Sequence, residues 1–271
     1  MKLSEEQAQR YSRHFVLKEV GVSGQKKLLS SKVLVIGAGA LGSSAIMYLA
    51  AAGVGTIGIC DYDVVDLSNL QRQIIHKTDS VGKEKVVSAE QAVKALNPDV
   101  QAVLHRQRLT VDNIQSVIEP YDFILDCTDR FETKFLINDG CVLSKKPYCH
   151  AGVVSFGGQV MTYVPGLGPC LRCLLGGVPE DSVTCAEAGV LGAVTGVIGS
   201  IQATETIKYL LGIGQLLVGK VLRFDGLNAH MGVTNFAHSD PDCAVCGTNP
   251  TIKSLVDNRS DYEVKCALGD V

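Results

Sequence analysis

Short β-branched runs alternate with stretches of helical spacing along most of the chain, and the changes of period fall at turn residues. Residues 4–30 place Tyr11, Phe15 and Val16 among Arg10, Arg13 and Lys18, with Gly21 and Gly24 as breaks, which predicts an N-terminal helical arm over 1–30. Residues 32–36 read as a buried strand ending at Gly37-Ala-Gly-Ala-Leu-Gly42, 43–52 as an apolar helix and 56–60 as the next strand, closed by Asp61. Helical spacing resumes over 81–96 before Asn97-Pro98, 100–105 alternates as a strand, 112–119 is helical and 123–127 is again a buried strand. Strands separated by helices of this length predict parallel βαβ units, with the ligand crevice at the carboxyl ends of the strands.

Beyond Pro147 the pattern changes. Residues 153–164, containing Gly157-Gly158, predict a hairpin region, and 166–190 form a loop rich in Gly, Pro and Cys. A helix over 194–211, a strand over 221–224 ending at Asp225, and a polar tail complete the reading. The fold class is therefore α/β, a doubly wound, mostly parallel Rossmann-like sheet, with the main domain expected over 31–247 and a C-terminal tail over 248–271. Two charge-free stretches, 33–60 and 188–204, approach the roughly 20 residues that span a bilayer. Both are rich in glycine and read as buried core elements, so no membrane association is expected.

Composition narrows the classes further. A hydrophobic fraction of 46%, 20% charged residues and a net charge of -3 provide no basic field for a polynucleotide, so nucleic acid is not an expected partner. The opening Met-Lys-Leu-Ser-Glu-Glu-Gln has no apolar secretory core, which makes the cytoplasm the expected compartment and the ten cysteines reduced.

Gly37, Gly39 and Gly42 form G-x-G-x-x-G between a predicted strand and helix, where glycines permit a tight turn and the helix amino end attracts phosphate. Asp61 closes the next strand, placed for a carboxylate to accept ribose hydroxyls. The same fingerprint serves NAD and FAD. Ser68-Asn-Leu-Gln-Arg-Gln73 and Lys85 add a carboxamide, a guanidinium and an ammonium, which suit a triphosphate and its departing pyrophosphate, so the nucleotide is read as ATP. Asp126-Cys-Thr-Asp129 ends a buried strand, and its carboxylates either face the crevice, where they would hold Mg2+, or cap a helix. Cys170-Leu-Arg-Cys173 and Cys243-Ala-Val-Cys246 are two C-x-x-C pairs whose thiolates could close a zinc site, with free thiols or redox pairs as alternatives. Cys60, Cys127, Cys141 and Cys149 read as core residues, and His14, His76 and His150 as satisfied structurally.

The chain resembles the MoeB/ThiF/HesA adenylyltransferases, relatives of the ubiquitin-activating enzymes, from about Arg10 to Gly247. Arg10-Tyr-Ser-Arg13, Gly37-Ala-Gly-Ala-Leu-Gly42, Asp61-Tyr-Asp63, Leu67-Ser-Asn-Leu-Gln-Arg-Gln73, Asp126-Cys-Thr-Asp129, Gly196-Val-Ile-Gly-Ser200 and the two cysteine pairs carry the resemblance. It implies Mg-ATP-dependent adenylation of a small ubiquitin-fold sulfur carrier of MoaD/ThiS type ending in Gly-Gly, in molybdopterin or thiamine (thiazole) biosynthesis. It also implies that Asp61 holds the ribose, that Asn69, Arg72 and Lys85 hold the phosphates, and that Asp129 holds Mg2+. Arg13 would reach the ATP of the partner subunit in a homodimer, and Cys170, Cys173, Cys243 and Cys246 would hold a structural zinc.

Ala40 stands where the family usually has a further glycine, and Arg130 where asparagine follows the aspartate; ATP binding is expected to survive the first. Cys185 lies in the loop that the carrier's tail would pass and is read as an inert thiol, with sulfur transfer as the alternative. The tail resembles the segment that joins longer members to a rhodanese domain, so persulfide sulfur is expected from a separate donor protein. A nicotinamide-dependent oxidoreductase and a noncatalytic partner of ubiquitin-like proteins remain the competing readings.

Overall fold

A strand apolar on both faces must lie between two layers of helices. Lys32–Ile36 (β1) has this character: Val33 and Val35 enter one core, and Leu34 and Ile36 the other. The computed structural model describes residues 3–178, 188–236 and 238–263. Around β1 it arranges Thr56–Cys60 (β2), Gln101–His105 (β3), Phe123–Asp126 (β4), Tyr148–Val154 (β5), Gly157–Tyr163 (β6), Lys220–Asp225 (β7) and His230–Asn235 (β8). They form one sheet in the order β3-β2-β1-β4-β5-β6-β7-β8. The first five pair in parallel and the last three add antiparallel.

The helices divide between the faces. Gly21–Ser30 (α3), Ala40–Ala51 (α4), Lys85–Leu96 (α5) and Gly192–Leu211 (α9) contribute Leu28, Ile46, Val93 and Ile198 to one core. Ile114–Ile118 (α6), Phe131–Leu143 (α7) and Leu171–Leu175 (α8) contribute Ile118, Phe135 and Leu171 to the other. Glu5–Arg10 (α1) and Ser12–Phe15 (α2) precede α3 as the expected helical arm. Tyr11 between them is 2% exposed, and its hydroxyl accepts a 2.8 Å bond from Asn97 Nδ2. The break expected at Gly21 is present, with φ +57, whereas Gly24 lies inside α3.

Three elements lie beyond the sequence-based expectation, one of them α8, a short helix inside the stretch 166–190 that was expected to be a loop. In α7 the side chains of Lys134, Asn138 and Asp139 are buried in polar networks and interrupt any plain apolar stripe. Strand β8 is a largely exposed edge with little to mark it. The hairpin is real but starts earlier than expected, at Tyr148. The polar tail is only partly polar: Ile252, Leu255 and Tyr262 are buried in the second core. No helix among the described residues is long and apolar enough to cross a membrane.

Candidate nucleotide and metal sites

Strand order reverses at β1, whose neighbours β2 and β4 feed helices on opposite faces; in such sheets the carboxyl edge opens into a crevice. A cleft of about 880 Å³ lies there. Its inner wall is the glycine turn. Gly37 has φ +98, and a Cβ there would come within 2.7 Å of the Cys127 carbonyl. Gly42 does not line the cleft: it is buried in the first turn of α4, where a Cβ would lie 2.0 Å from the Gly37 carbonyl oxygen. Gly37, Gly39 and Ala40 do line it. Gly39 caps α4 without any side-chain bond, so the amino end of the helix is available to an anion.

Two side chains brace this turn. Asp61 accepts from the Ala38 amide at 2.8 Å and the Asp63 amide at 2.9 Å. Burial raises its carboxyl above the ordinary range, against the lowering effect of those bonds and of Lys85. On the other side, His76 Nε2 donates to the Ala38 carbonyl at 2.9 Å, leaving Nδ1 to accept from Ser88 Oγ at 2.9 Å. Burial lowers the pKa of this imidazole, which favours the neutral ring, and the bond to the Ala38 carbonyl requires its proton on Nε2.

Cations converge from three sides. Lys85, the first residue of α5, is 6% exposed and donates to Asp63 at 3.0 Å. Arg72 donates to the Ser68 carbonyl at 3.0 Å, and its side chain lines the cleft together with Arg108, Arg130 and Arg223. Asn69 is not among the lining residues: its carboxamide oxygen accepts the Asp66 amide at 3.2 Å, closing a capping box. Arg13 is exposed and outside this chain's own cleft.

The two carboxylates of Asp126-Cys-Thr-Asp129 separate, which corrects the expectation that both face the crevice. Asp129 lines the cleft and accepts no hydrogen bond among the described residues. Asp126 is fully buried and accepts from Thr128 N and Oγ1 at 3.0 and 2.7 Å, from Lys134 Nζ at 3.3 Å and from His150 Nδ1 at 2.7 Å. Burial alone would raise its carboxyl, but the Lys134 ammonium and the His150 and Thr128 bonds outweigh that and hold it well below the usual carboxylate range. Lys134 and Arg108 were not singled out from the sequence, whereas His76 was read there as structurally satisfied and is bonded at both ring nitrogens. For Lys134 a signal existed, a charge among Phe131, Phe135, Leu136 and Ile137.

Cys170, Cys173, Cys243 and Cys246 come together on the second face, their sulfurs all within 4.8 Å of one another and in pairs at 3.3 to 3.9 Å. A tetrahedral zinc with bonds of about 2.3 Å separates its sulfurs by about 3.8 Å, so the cluster fits such an ion. Asn138 Oδ1 accepts the Leu171 amide at 2.8 Å, and Asp139 accepts from Arg172 Nε and from Tyr262 at 2.7 to 2.9 Å. Thus α7 and the tail both hold the cysteine knuckle. Cys60, Cys127, Cys141 and Cys149 are buried core thiols, as expected, and His14 pairs with Gln25 at 2.7 Å. Cys185 lies outside the described residues.

A glycine turn at an open helix amino end, a braced acid after the next strand and converging cations define a nucleotide-binding α/β domain. The ThiF family matches residues 11–245, and the chain belongs to that family. The adenylyltransferase and sulfurtransferase MOCS3 of Aedes aegypti is 45% identical over 269 residues, covering 98% of this chain and 61% of the relative. The Bos taurus protein of the same name is 43% identical over 266 residues, covering 97% and 58%. The chain thus spans about three fifths of the length of these relatives. A crystal structure of E. coli MccB with succinimide superposes with a TM-score of 0.78 at 25% identity, covering 88% of this chain and 74% of that one.

Proposed function

We propose that the chain uses ATP to adenylate the C-terminal glycine of a small ubiquitin-fold sulfur carrier, in molybdopterin or thiazole biosynthesis. The observation that carries this reading is the joining of an open helix amino end, Arg72, Lys85 and the unengaged Asp129 in one cleft of about 880 Å³. The names of the relatives, adenylyltransferase and sulfurtransferase, support it.

In this reading Asp61 receives the ribose hydroxyls, while the α4 amino end, Arg72 and Lys85 receive the phosphates. The carrier's terminal carboxylate attacks the α-phosphorus, the bond to the bridging oxygen breaks, and pyrophosphate leaves with the electron pair. The nucleophile is already ionised, so no general base is needed, and the residues act by alignment and charge stabilisation. Asp129 offers the hard oxygen that Mg2+ prefers and would hold it; the ion, when bound, neutralises phosphate charge. The four thiolates would hold zinc as a structural clip. Arg13, exposed beside Val16 at 77% and Leu17 at 49%, would serve the cleft of a second copy across that apolar patch. A persulfide donor beyond these 271 residues supplies the sulfur.

Carrier-dependent exchange of labelled pyrophosphate into ATP is the test. Exchange with a Gly-Gly-ended carrier is expected. Folded protein with Mg2+ that binds NAD but not ATP would replace this reading with the oxidoreductase one.

A further inference from the structure

The buried Asp126–Lys134 pair lies behind the wall of the cleft, which Lys134 lines and Asp126 does not, and neither group is assigned a part in the reaction. A buried ion pair contributes little net stability, since apolar residues of similar volume are often as good or better. Its connections are more informative than its energy. Lys134 lies one turn into α7, 4% exposed, and is one of the residues that line the cleft. It donates to Asp126 at 3.3 Å and to the Ala151 carbonyl at 2.7 Å. Asp126 in turn takes both the amide and the hydroxyl of Thr128, the residue before Asp129. Ala151 precedes Gly152, which also lines the cleft. The ammonium therefore ties the turn that presents the Asp129 carboxylate to the middle of β5, and that turn packs against Gly37, where a Cβ would meet Thr128 N at 3.5 Å.

The geometry points to Lys134 as a positioning residue, one that clamps the 126–129 turn against the middle of β5 at Ala151 and so sets Asp129 relative to the glycine turn. The inference rests on the adenylation reading for what is being aligned. Its physical content is a distance: a misplacement of about 1 Å can cost about 10²-fold in rate. Charge and hydrogen-bond reach are both needed, so arginine should substitute in part and methionine, similar in length, should not.

The experiment compares Lys134→Met, Lys134→Arg and Thr128→Val with the wild type. Each is assayed for thermal midpoint, for ATP affinity with and without Mg2+, and for kcat and KM in carrier-dependent exchange. In Lys134→Met we expect metal-free ATP affinity within threefold of wild type, loss of most of the gain that Mg2+ gives, and kcat down by about 10²-fold with KM little changed. Lys134→Arg should recover most of the loss. A folded Lys134→Met enzyme with wild-type Mg2+ gain and kcat, or a Lys134→Arg no better than Lys134→Met, overturns the inference. Should Lys134→Met not fold, Thr128→Val decides, since it removes only the hydroxyl link; a wild-type Mg2+ gain and kcat there overturns the inference. Wild-type protein that binds Mg-ATP but shows no exchange would defeat the adenylation reading alone. The Mg2+ gain in ATP affinity would then still report on the clamp.

Discussion

The third glycine of the turn gives the sharpest test of how the phosphate end is built. A Cβ at Gly42 would lie 2.0 Å from the Gly37 carbonyl oxygen, and Cβ atoms essentially never approach another heavy atom within 3.0 Å. Gly42→Ala must therefore move backbone by about 1 Å, because the obstructing atom is not the end of a flexible side chain. Overpacking of this kind costs about 1–3 kcal/mol of stability. The larger effect falls on binding. If two backbone N–H groups of the turn bond phosphate in the proposed complex, at about 1.5–3 kcal/mol each, putting them out of line predicts roughly a 10²–10⁴-fold loss of ATP affinity. Gly39→Ala is the control: its Cβ would meet only Gln73 Nε2, at 3.7 Å, and φ at Gly39 is -86. Its ψ of -143 lies outside the regions ordinarily open to a side chain, so it should lose some stability, but less than Gly42→Ala. Urea unfolding and calorimetric ATP titration of both variants measure the contrast. A Gly42→Ala protein with wild-type stability and ATP affinity within fivefold would refute the argument that this glycine is required by the close approach of Gly37.

Further outcomes follow from other contacts. Asp129→Asn should leave metal-free ATP binding nearly intact and abolish most of the Mg2+ gain, read in the same titrations. Because burial raises the Asp61 carboxyl, nucleotide affinity should fall as pH drops through that raised value, where the protonated group loses acceptor capacity; Asp61→Asn should flatten the dependence. Tyr262→Phe removes a 2.7 Å bond to the buried Asp139 carboxylate and should cost about 1.5–3 kcal/mol in urea unfolding, with ATP affinity unchanged. Cys243→Ser should lower zinc content, measured by atomic emission, together with the thermal midpoint.

The sequence was most legible where one force acts alone. β1 and β2 are apolar on both faces, so the runs at 32–36 and 56–60 stand out and match these strands residue for residue. The glycine turn and Asp61 were equally plain, because few residues fit those backbone demands. Legibility failed where polar side chains are buried. Lys134, Asn138 and Asp139 disguise α7 as a surface segment, and Asp126 reads like Asp129 until its partners from α7 and β5 are in place. Asn69 shows the reverse case: its motif suggested phosphate, yet in this chain its carboxamide closes a local capping box. The cysteine pairs lie 73 residues apart across matched positions, and only the folded chain shows their sulfurs meeting.

Helix α7 is fastened at two places about one turn apart, behind the cleft through Lys134 and to the cysteine knuckle through Asn138 and Asp139. A rod held in this way transmits rather than absorbs. The contacts of the nucleotide cleft and those of the cysteine cluster are thus carried by one short length of helix, so neither group can shift far without the other.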